Sequence, residues 1–181
     1  MVRIKHRYIL FEILYPPTPK NASQQELEEY IESETNVLLT LHKSSPQNIN
    51  YKTILHAIRK SLHEHYGDVG SGSAGMLMTI KYFSNKTSTG IIRCGRSQFE
   101  TIIGAMSMIN CIDGVDLVMS CIHVSGTIKK CEEFSILNTK KLMGKMGKVK
   151  DNDINVFLKE IGGLNEDKEE EEVIAVDEEV K

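Results

Sequence analysis

Hydrogen-bond donors and cations are concentrated in one predicted β-hairpin of this chain. In the segment Lys81–Cys94, two apolar runs flank the polar connection Asn85–Ser88, and Gly90 follows it. This pattern is typical of a hairpin whose tip is solvated and positively charged. Donors on a rigid hairpin favour contacts with phosphate or sugar groups, although a solvated turn that only links two strands is the alternative. The candidate side chains are those of Asn85, Lys86, Thr87 and Ser88 at the tip and Arg93 on the return strand.

A second set of cations lies where the last predicted helix begins. In the segment Val124–Lys130, a serine, a glycine and a threonine precede Lys129 and Lys130. Lysines at a helix start are electrostatically unfavourable, because the helix dipole is positive there. Together with free amides and hydroxyl groups, however, they make a good anion site. The alternative is a harmless pair of surface lysines.

The charge of the chain is divided between its two parts. Residues 1–150 carry 19 Lys and Arg against 13 Asp and Glu, a balance of +6, whereas residues 151–181 carry 3 Lys against 12 Asp and Glu, a balance of −9. A basic body with an acidic tail indicates a polyanionic partner. Within the body, Arg3, Lys5 and Arg7 alternate along the first predicted strand and so project from one face, and Arg96 follows the hairpin.

The first part of the chain predicts a strand, an insertion and a helix. A run rich in β-formers over residues 3–15 predicts the first strand, which consecutive prolines end. The polar, acidic stretch over residues 18–45 predicts a mobile insertion with a short helix at Gln24–Ser33. Asn50 is a suitable N-cap for a helix over residues 51–66.

The middle of the chain contains a glycine-rich segment that could be mistaken for a nucleotide site. Gly70–Gly75 matches G-x-G-x-x-G, but a dinucleotide fingerprint follows a strand and opens a helix. Here a helix precedes it and a strand follows, so we predict a flexible linker. Strands are predicted over residues 76–84 and 89–95, and Ser97–Glu100 matches a capping box that opens a helix to about Ile112.

The order of these elements predicts the fold class. A strand at about residues 115–124 and a helix from Thr127 to about Lys148 complete the order β-α-β-β-α-β with an appended helix. This is the α+β, ferredoxin-like sandwich of RNA-recognition domains, with helices on one face of an antiparallel sheet. We expect one domain over residues 1–148, with the acidic insertion at 18–45, and a mostly disordered acidic tail over residues 149–181.

The residues do not favour an enzyme. The six histidines are scattered, no phosphate loop is present, and the four cysteines have no Cys-x-x-Cys or zinc-module spacing. We therefore expect no catalytic residue and no protein metal ligand, and we expect the cysteines to be buried free thiols of an intracellular protein. No apolar run is long enough to cross a membrane. Base stacking on an open sheet is also poorly supported, since Tyr8 and Phe11 lie on the first strand but the return strand Gly90–Cys94 has no aromatic residue.

Three segments resemble the Pop-family fifth protein subunits of ribonuclease P and ribonuclease MRP. They are Arg3–Glu12, Lys81–Cys94 and Val124–Lys130. The helix Ile54–Leu62 and the following Gly67–Gly70 are also similar. The resemblance covers most of residues 1–137 and is to a fungal member. The acidic insertion and the acidic tail depart from the shared pattern, so nothing about them is carried over.

The resemblance implies a non-catalytic subunit of a nuclear, and specifically nucleolar, ribonucleoprotein whose RNA is the catalyst. Ribonuclease P removes the 5′ leader of precursor tRNA, and ribonuclease MRP processes precursor rRNA. The implied partners are that catalytic RNA and another protein subunit, without a membrane or a small-molecule substrate. Mg²⁺ would be held by RNA and substrate phosphates, so the protein binds no cofactor. The alternatives are a free-standing single-stranded RNA-binding module and a protein-interaction domain in a nuclear complex. The expected RNA-binding residues are Arg3, Lys5, Arg7, Asn85, Lys86, Thr87, Ser88, Arg93, Arg96, Lys129 and Lys130.

Overall fold

The computed structural model describes residues 5–18 and 22–146. The strands are β1 (His6–Leu14), β2 (Thr79–Ser84), β3 (Thr89–Gly95), β4 (Cys111–Ile112), β5 (Val115–Asp116) and β6 (Val118–Ser125). The helices are α1 (Gln24–Glu32), α2 (Glu34–Leu41), α3 (Tyr51–Gly75), α4 (Phe99–Ser107) and α5 (Ile128–Met146). The chain divides into two compact units, Met1–Ser135 and Ile136–Lys181. The predicted domain boundary after residue 148, and the acidic tail, lie outside the described residues.

Four strands form one antiparallel sheet in the order β2-β3-β1-β6. Helix α3 connects β1 to β2, and α4 lies between β3 and β6, so the main elements follow the order β-α-β-β-α-β. Strands β1 and β3 are the central pair, with Ile9 opposite Ile92 and Leu10 opposite Ile91. This confirms the predicted ferredoxin-like fold. No helix among the described residues is long and apolar enough to cross a membrane.

The main core lies between one face of the sheet and helices α3 and α4. Alternate residues of β1, namely Ile9, Phe11 and Ile13, are fully buried in it, because successive side chains of a strand point to opposite faces. The helices contribute apolar side chains at helical spacing. The large side chains that are fully buried are Ile54, Ile58 and Leu62 on α3 and Ile102 and Met106 on α4.

The other face of the sheet is also covered by a helix. Leu10 of β1 and Ile91 of β3 are buried against Cys131 in the first part of α5. Phe134, one turn further along α5, stacks on His123 of β6 with ring centroids 4.3 Å apart and planes 9° apart. The predicted arrangement with helices on one face holds for α3 and α4. The first part of the appended helix α5 lies on the other face, because its apolar side chains also need a surface on which to be buried.

The described part of the insertion contains two helices. Helix α1 confirms the predicted short helix, whereas α2 lies where the sequence predicts no helix. Ser33 caps α2, since its side chain accepts a hydrogen bond from the Thr35 amide at 3.3 Å. The end of α2 is joined to the residue that follows β1, because the Tyr15 amide donates to the Leu41 carbonyl at 3.0 Å.

Helix α3 begins where the sequence predicts and continues further than predicted. The Asn50 side chain accepts from the Lys52 and Thr53 amides, at 2.9 Å and 3.2 Å, which confirms it as the N-cap. Gly67 interrupts the helix with φ 65° and ψ −169°, a conformation that favours glycine. The following segment, Asp68–Gly75, is helical, so the predicted flexible linker is wrong. Its final residues, including Ala74, are buried, and this packing compensates for the poor helix propensity of glycine.

Helix α4 is shorter than predicted and lacks the predicted cap. Its N-cap is Gln98, whose side chain makes no capping hydrogen bond, so the capping box at Ser97 is wrong. The helix ends at Ser107 instead of about Ile112, because the chain turns there into the β4–β5 hairpin. Asp113, with φ 49°, and Gly114, with φ 79°, form the turn of this hairpin.

Candidate nucleic-acid interface

The sheet separates the predicted RNA-binding residues into two groups. The β2–β3 hairpin places residues 85–88 at its tip, whereas Arg93 lies near the other end of β3. Strand β3 has 7 residues, and a strand rises about 3.3 Å per residue, so its two ends are about 20 Å apart. One small ligand therefore cannot contact both sets of residues, whereas a folded polymer such as RNA can.

The group away from the tip forms a basic end of the sheet. Its members share one location, where β1 begins, β3 and β6 end and α5 begins. The strand register brings these points together, since His6 pairs with Gly95 and Tyr8 pairs with Ser125. The Arg96 amide also donates to the Lys5 carbonyl at 2.9 Å. The basic end consists of Lys5, Arg7, Arg93, Arg96, Lys129 and Lys130.

Arg93 is oriented by a histidine that the sequence interpretation did not select. Its Nη2 lies 3.0 Å from Nε2 of His6 on the neighbouring strand. A guanidinium group has no acceptor, so Arg93 donates and the His6 nitrogen accepts. Within residues 5–18 and 22–146, this half-buried side chain makes no other hydrogen bond, so its remaining N–H groups can donate to a ligand. The signal for His6 in the sequence is its position between Lys5 and Arg7 on the same strand.

Arg7 lies beside the segment that leads into α5. A Cβ atom added to Gly126 would lie 3.5 Å from Nη1 of Arg7, an ordinary contact distance, so the guanidinium group lies beside this glycine. On β3, Cys94 pairs with Arg7. Burial raises the pKa of the Cys94 thiol to about 11, and the positive charge of Arg7 lowers it only in part. The thiol therefore stays neutral at physiological pH and does not neutralise Arg7.

Lys129 and Lys130 are exposed in the first turn of α5. The Thr127 amide donates to the Ser125 side-chain oxygen at 3.4 Å, just before the helix begins. Across residues 5–18 and 22–146, no residue of the basic end forms an ion pair with a carboxylate. A concentration of cations without internal partners produces the positive potential that attracts a polyanion.

The hairpin tip has a different role in the structure. Asn85 donates two hydrogen bonds from Nδ2, to the Pro46 carbonyl at 3.0 Å and to the Ile49 carbonyl at 2.7 Å. Ser88 is 1% exposed, donates to the Lys43 carbonyl at 2.7 Å and accepts from Ser45 at 3.0 Å. These side chains hold the hairpin against residues 43–49. Contact of Asn85 and Ser88 with RNA stays a prediction.

The other residues of the tip are more accessible. Thr87 is half-buried, and its hydroxyl lies 2.8 Å from the Thr89 hydroxyl. Lys86 is exposed and stays a candidate contact. Arg3, the remaining predicted residue, lies outside the described residues.

The structure also bears on base stacking and on metal binding. Phe11 is fully buried and stacks on Phe83 at 6.2 Å between centroids, so a nucleotide base cannot reach it. Tyr8 packs with the cluster that α5 covers. Within the part of the chain that the structure describes, no three His, Cys, Asp or Glu side chains are arranged to hold a metal ion.

The fold and the basic end define a ferredoxin-like protein with a surface suited to a polyanion. The model of the Rpp14/Pop5 family matches residues 7–136, and the chain belongs to this family. This confirms the family resemblance that the sequence shows.

Two relatives from yeasts agree with the family assignment. The chain is 43% identical over 180 residues to the ribonuclease P/MRP protein subunit POP5 of Saccharomyces cerevisiae, covering 95% of this chain and 100% of that protein. It is 36% identical over 140 residues to the protein of the same name from Schizosaccharomyces pombe, covering 77% and 89%. A chain of the cryo-EM structure of yeast ribonuclease MRP aligns with a TM-score of 0.41 and 15% identity, covering 77% of this chain and 98% of that chain.

Proposed function

We propose that this chain is a non-catalytic protein subunit of the ribonuclease P and ribonuclease MRP ribonucleoproteins. In this role it takes part in removing the 5′ leader of precursor tRNA and in processing precursor rRNA. Its relatives carry the name of such a subunit, and its family is Rpp14/Pop5. The observation that carries the proposal is the basic end, where cations on or beside β1, β3 and α5 converge and have no carboxylate partner within residues 5–18 and 22–146.

The chemical role of the basic end is to neutralise phosphates of the catalytic RNA. Lysine and arginine side chains that meet phosphates release counterions, and this favours binding at low salt. Contacts of this kind position an RNA fold without reading its sequence. The RNA is then the catalyst, and the protein stabilises its fold. The second partner is another protein subunit of the same particle.

The location and the metal requirement follow from the same proposal. The protein acts in the nucleus, and within it in the nucleolus, where precursor rRNA is processed. The holoenzyme uses Mg²⁺ held by RNA and substrate phosphates, which are the oxygen ligands that this ion prefers. The tests are fluorescence localisation of the tagged chain and a magnesium titration of the purified particle.

The coverage of both sheet faces favours this proposal over a free-standing single-stranded RNA-binding module. Such modules stack bases on the open face of the sheet, and here α5 buries Leu10 and Ile91 on that face. The module predicts tight binding to short oligonucleotides and its loss when Tyr8 is replaced. A protein-interaction domain predicts that the chain joins its complex without RNA and that nuclease treatment leaves the complex intact.

The decisive experiment is purification of the tagged chain under native conditions, with identification of the bound RNA. We expect ribonuclease P-type and MRP-type RNAs, and their absence would reject the proposal. Binding to the recovered RNA is then measured against salt for a Lys129→Gln/Lys130→Gln variant. We expect the salt slope to fall by up to about one unit per lysine.

A matched control comes from two exposed lysines on α3. A Lys52→Gln/Lys60→Gln variant removes the same charge at another surface of the chain. We expect it to change the slope much less. Equal slopes for the wild type and the Lys129/Lys130 variant would show that the start of α5 does not contact RNA.

A further inference from the structure

We propose that helices α1 and α2 of the acidic insertion form a docking surface for a segment of another protein that carries Lys or Arg beside apolar residues. The inference rests on the proposed function, because it assigns a surface and a chemistry to the protein partner of the particle. RNA then meets the basic end of the sheet, and the protein partner meets the insertion.

The core of the chain does not use the apolar side chains of these two helices. Among the described residues, neither buried cluster, nor the apolar side chains packed against it, includes a residue of α1 or α2. Helix α2 has four apolar residues, and none of them is buried. Ile31 of α1 is 78% exposed, and Leu39 of α2 is 45% exposed. Apolar side chains presented together on one surface indicate a contact with another protein.

The chain holds this helix pair at its base. Helices α1 and α2 contact each other, and the Leu41 carbonyl at the end of α2 accepts from the Tyr15 amide at 3.0 Å. Tyr15 in turn packs against the main core. His42, the C-cap of α2, has its Nδ1 3.8 Å from the Glu12 carboxylate of β1. A surface that is already formed and anchored loses less conformational entropy when a partner binds.

The charge of the insertion determines which partner fits. Residues 21–42 carry five Glu and contain no Asp, Lys or Arg. Glu28, Glu32 and Glu34 are exposed, and none of the three forms an ion pair within residues 5–18 and 22–146. This negative surface repels RNA phosphates and attracts Lys and Arg side chains.

One place on α1 combines the apolar and the acidic character. A shallow hollow there is lined by Gln25, Glu28, Ile31 and Glu32. Its apolar part is Ile31, and two carboxylates border it. An amphipathic helix that presents Leu or Ile, with Lys or Arg one turn away, complements both parts.

A photo-cross-link in the native particle tests this surface. p-Benzoylphenylalanine replaces Ile31 in the tagged full chain, and mass spectrometry identifies what is joined to it after irradiation. We expect a segment of another protein with Lys or Arg beside apolar residues. The same group at Val69, which is exposed on α3, is the control and should not join to that segment. A cross-link to RNA, to a second copy of this chain, to a segment without basic residues or to nothing would overturn the proposal.

The identified segment, prepared as a synthetic peptide, then shows what each contact contributes. We expect Ile31→Ser to weaken its binding to the full chain about tenfold, because an apolar contact is lost. We expect Glu28→Gln/Glu32→Gln/Glu34→Gln to weaken it about three- to tenfold in about 50 mM salt, and less at higher salt. All four positions are exposed, so both variants should keep the fold. Unchanged affinity in either variant would contradict the proposed surface.

Two matched controls lie on other surfaces of the chain. A Glu64→Gln/Glu100→Gln/Asp113→Asn variant removes the same charge from exposed positions, and Val69→Ser removes an exposed apolar side chain. We expect each control to change the affinity less than about twofold. Equal losses in the two charge variants would show that only net charge matters and would reject the docking surface.

Recovery of RNA separates this proposal from the proposed function. If the cross-link forms in a particle without ribonuclease P-type or MRP-type RNA, the proposed function fails and the docking surface stands. If those RNAs are recovered but position 31 joins to no protein, the docking surface is wrong and the proposed function stands.

Discussion

The side-chain amide of Asn85 lies 2.7 Å from the carbonyl oxygen of Ile49 and so ties the tip of the β2–β3 hairpin to the segment before α3. Ile49 is fully buried, and Asn85 donates a second bond to Pro46. The tip therefore stabilises the packing of the hairpin against the segment before α3, in addition to presenting polar groups.

Replacement of Asn85 by alanine should lower stability and leave RNA binding at the basic end unchanged. Loss of two hydrogen bonds leaves two carbonyl groups without this donor, and we expect the free energy of unfolding to fall by about 1–3 kcal/mol. Urea denaturation measures the change. Lys86→Ala is the control, since that side chain is exposed and should alter stability by less than about 0.5 kcal/mol. Equal stability of Asn85→Ala and the wild type would contradict a structural role.

Arg93 and Lys86 should differ in their effect on RNA binding. Arg93 belongs to the basic end, and Lys86 lies about 20 Å away at the other end of β3. We expect Arg93→Gln to reduce the salt slope of binding to the recovered RNA by about one unit. A Lys86→Gln change that reduced the slope more than Arg93→Gln would place the main phosphate contacts at the tip instead.

The titration of Glu12 should lower the free energy of unfolding as pH rises above the ordinary pKa of this side chain. Burial raises the pKa of Glu12 above 4.5, and His42, with Nδ1 3.8 Å from the carboxylate, opposes the shift only in part. The folded state thus binds this proton more tightly than the unfolded state, so the free energy of unfolding falls as pH rises from 4.5 to the raised pKa.

A Glu12→Gln variant removes this titration. The free energy of unfolding of the variant minus that of the wild type should increase between pH 4 and pH 7, as measured by urea denaturation at several pH values. The comparison cancels the titration of groups that both proteins share. A difference that stays constant across this range would contradict a raised pKa.

Gly90 should tolerate no side chain, because Phe11 packs directly over it. A Cβ atom at this position would lie 2.5 Å from Cζ of Phe11 and 2.8 Å from the Tyr82 carbonyl oxygen. We expect Gly90→Ala to cost about 1–3 kcal/mol of stability, the usual range for overpacking. Gly72 in α3 has no atom within 4 Å of its added Cβ, so Gly72→Ala should raise stability by up to about 1 kcal/mol. Thermal and urea unfolding of the two variants test this contrast.

Local signals in the sequence were sufficient for most elements of the fold. The run of β-formers in β1, the polar connection of the hairpin and the cap at Asn50 each act over a few residues, and the structure confirms the prediction made from each. The glycines of α3 show where such signals fail. A glycine-rich run has poor helix propensity by itself, and only its packing, with Ala74 buried, makes residues 68–75 helical.

The sequence by itself determined the order of elements, the ferredoxin-like fold, the family and the types of residue that could meet RNA. Only the tertiary structure decided where those residues lie. Strand pairing places Arg93 far from Asn85, although both residues belong to one hairpin. It places Arg93 beside His6, which is 87 positions away in the sequence. Burial withdraws Ser88 from solvent, and the packing of α5 covers the second face of the sheet. These outcomes depend on contacts between distant segments, which composition, periodicity and spacing do not encode locally.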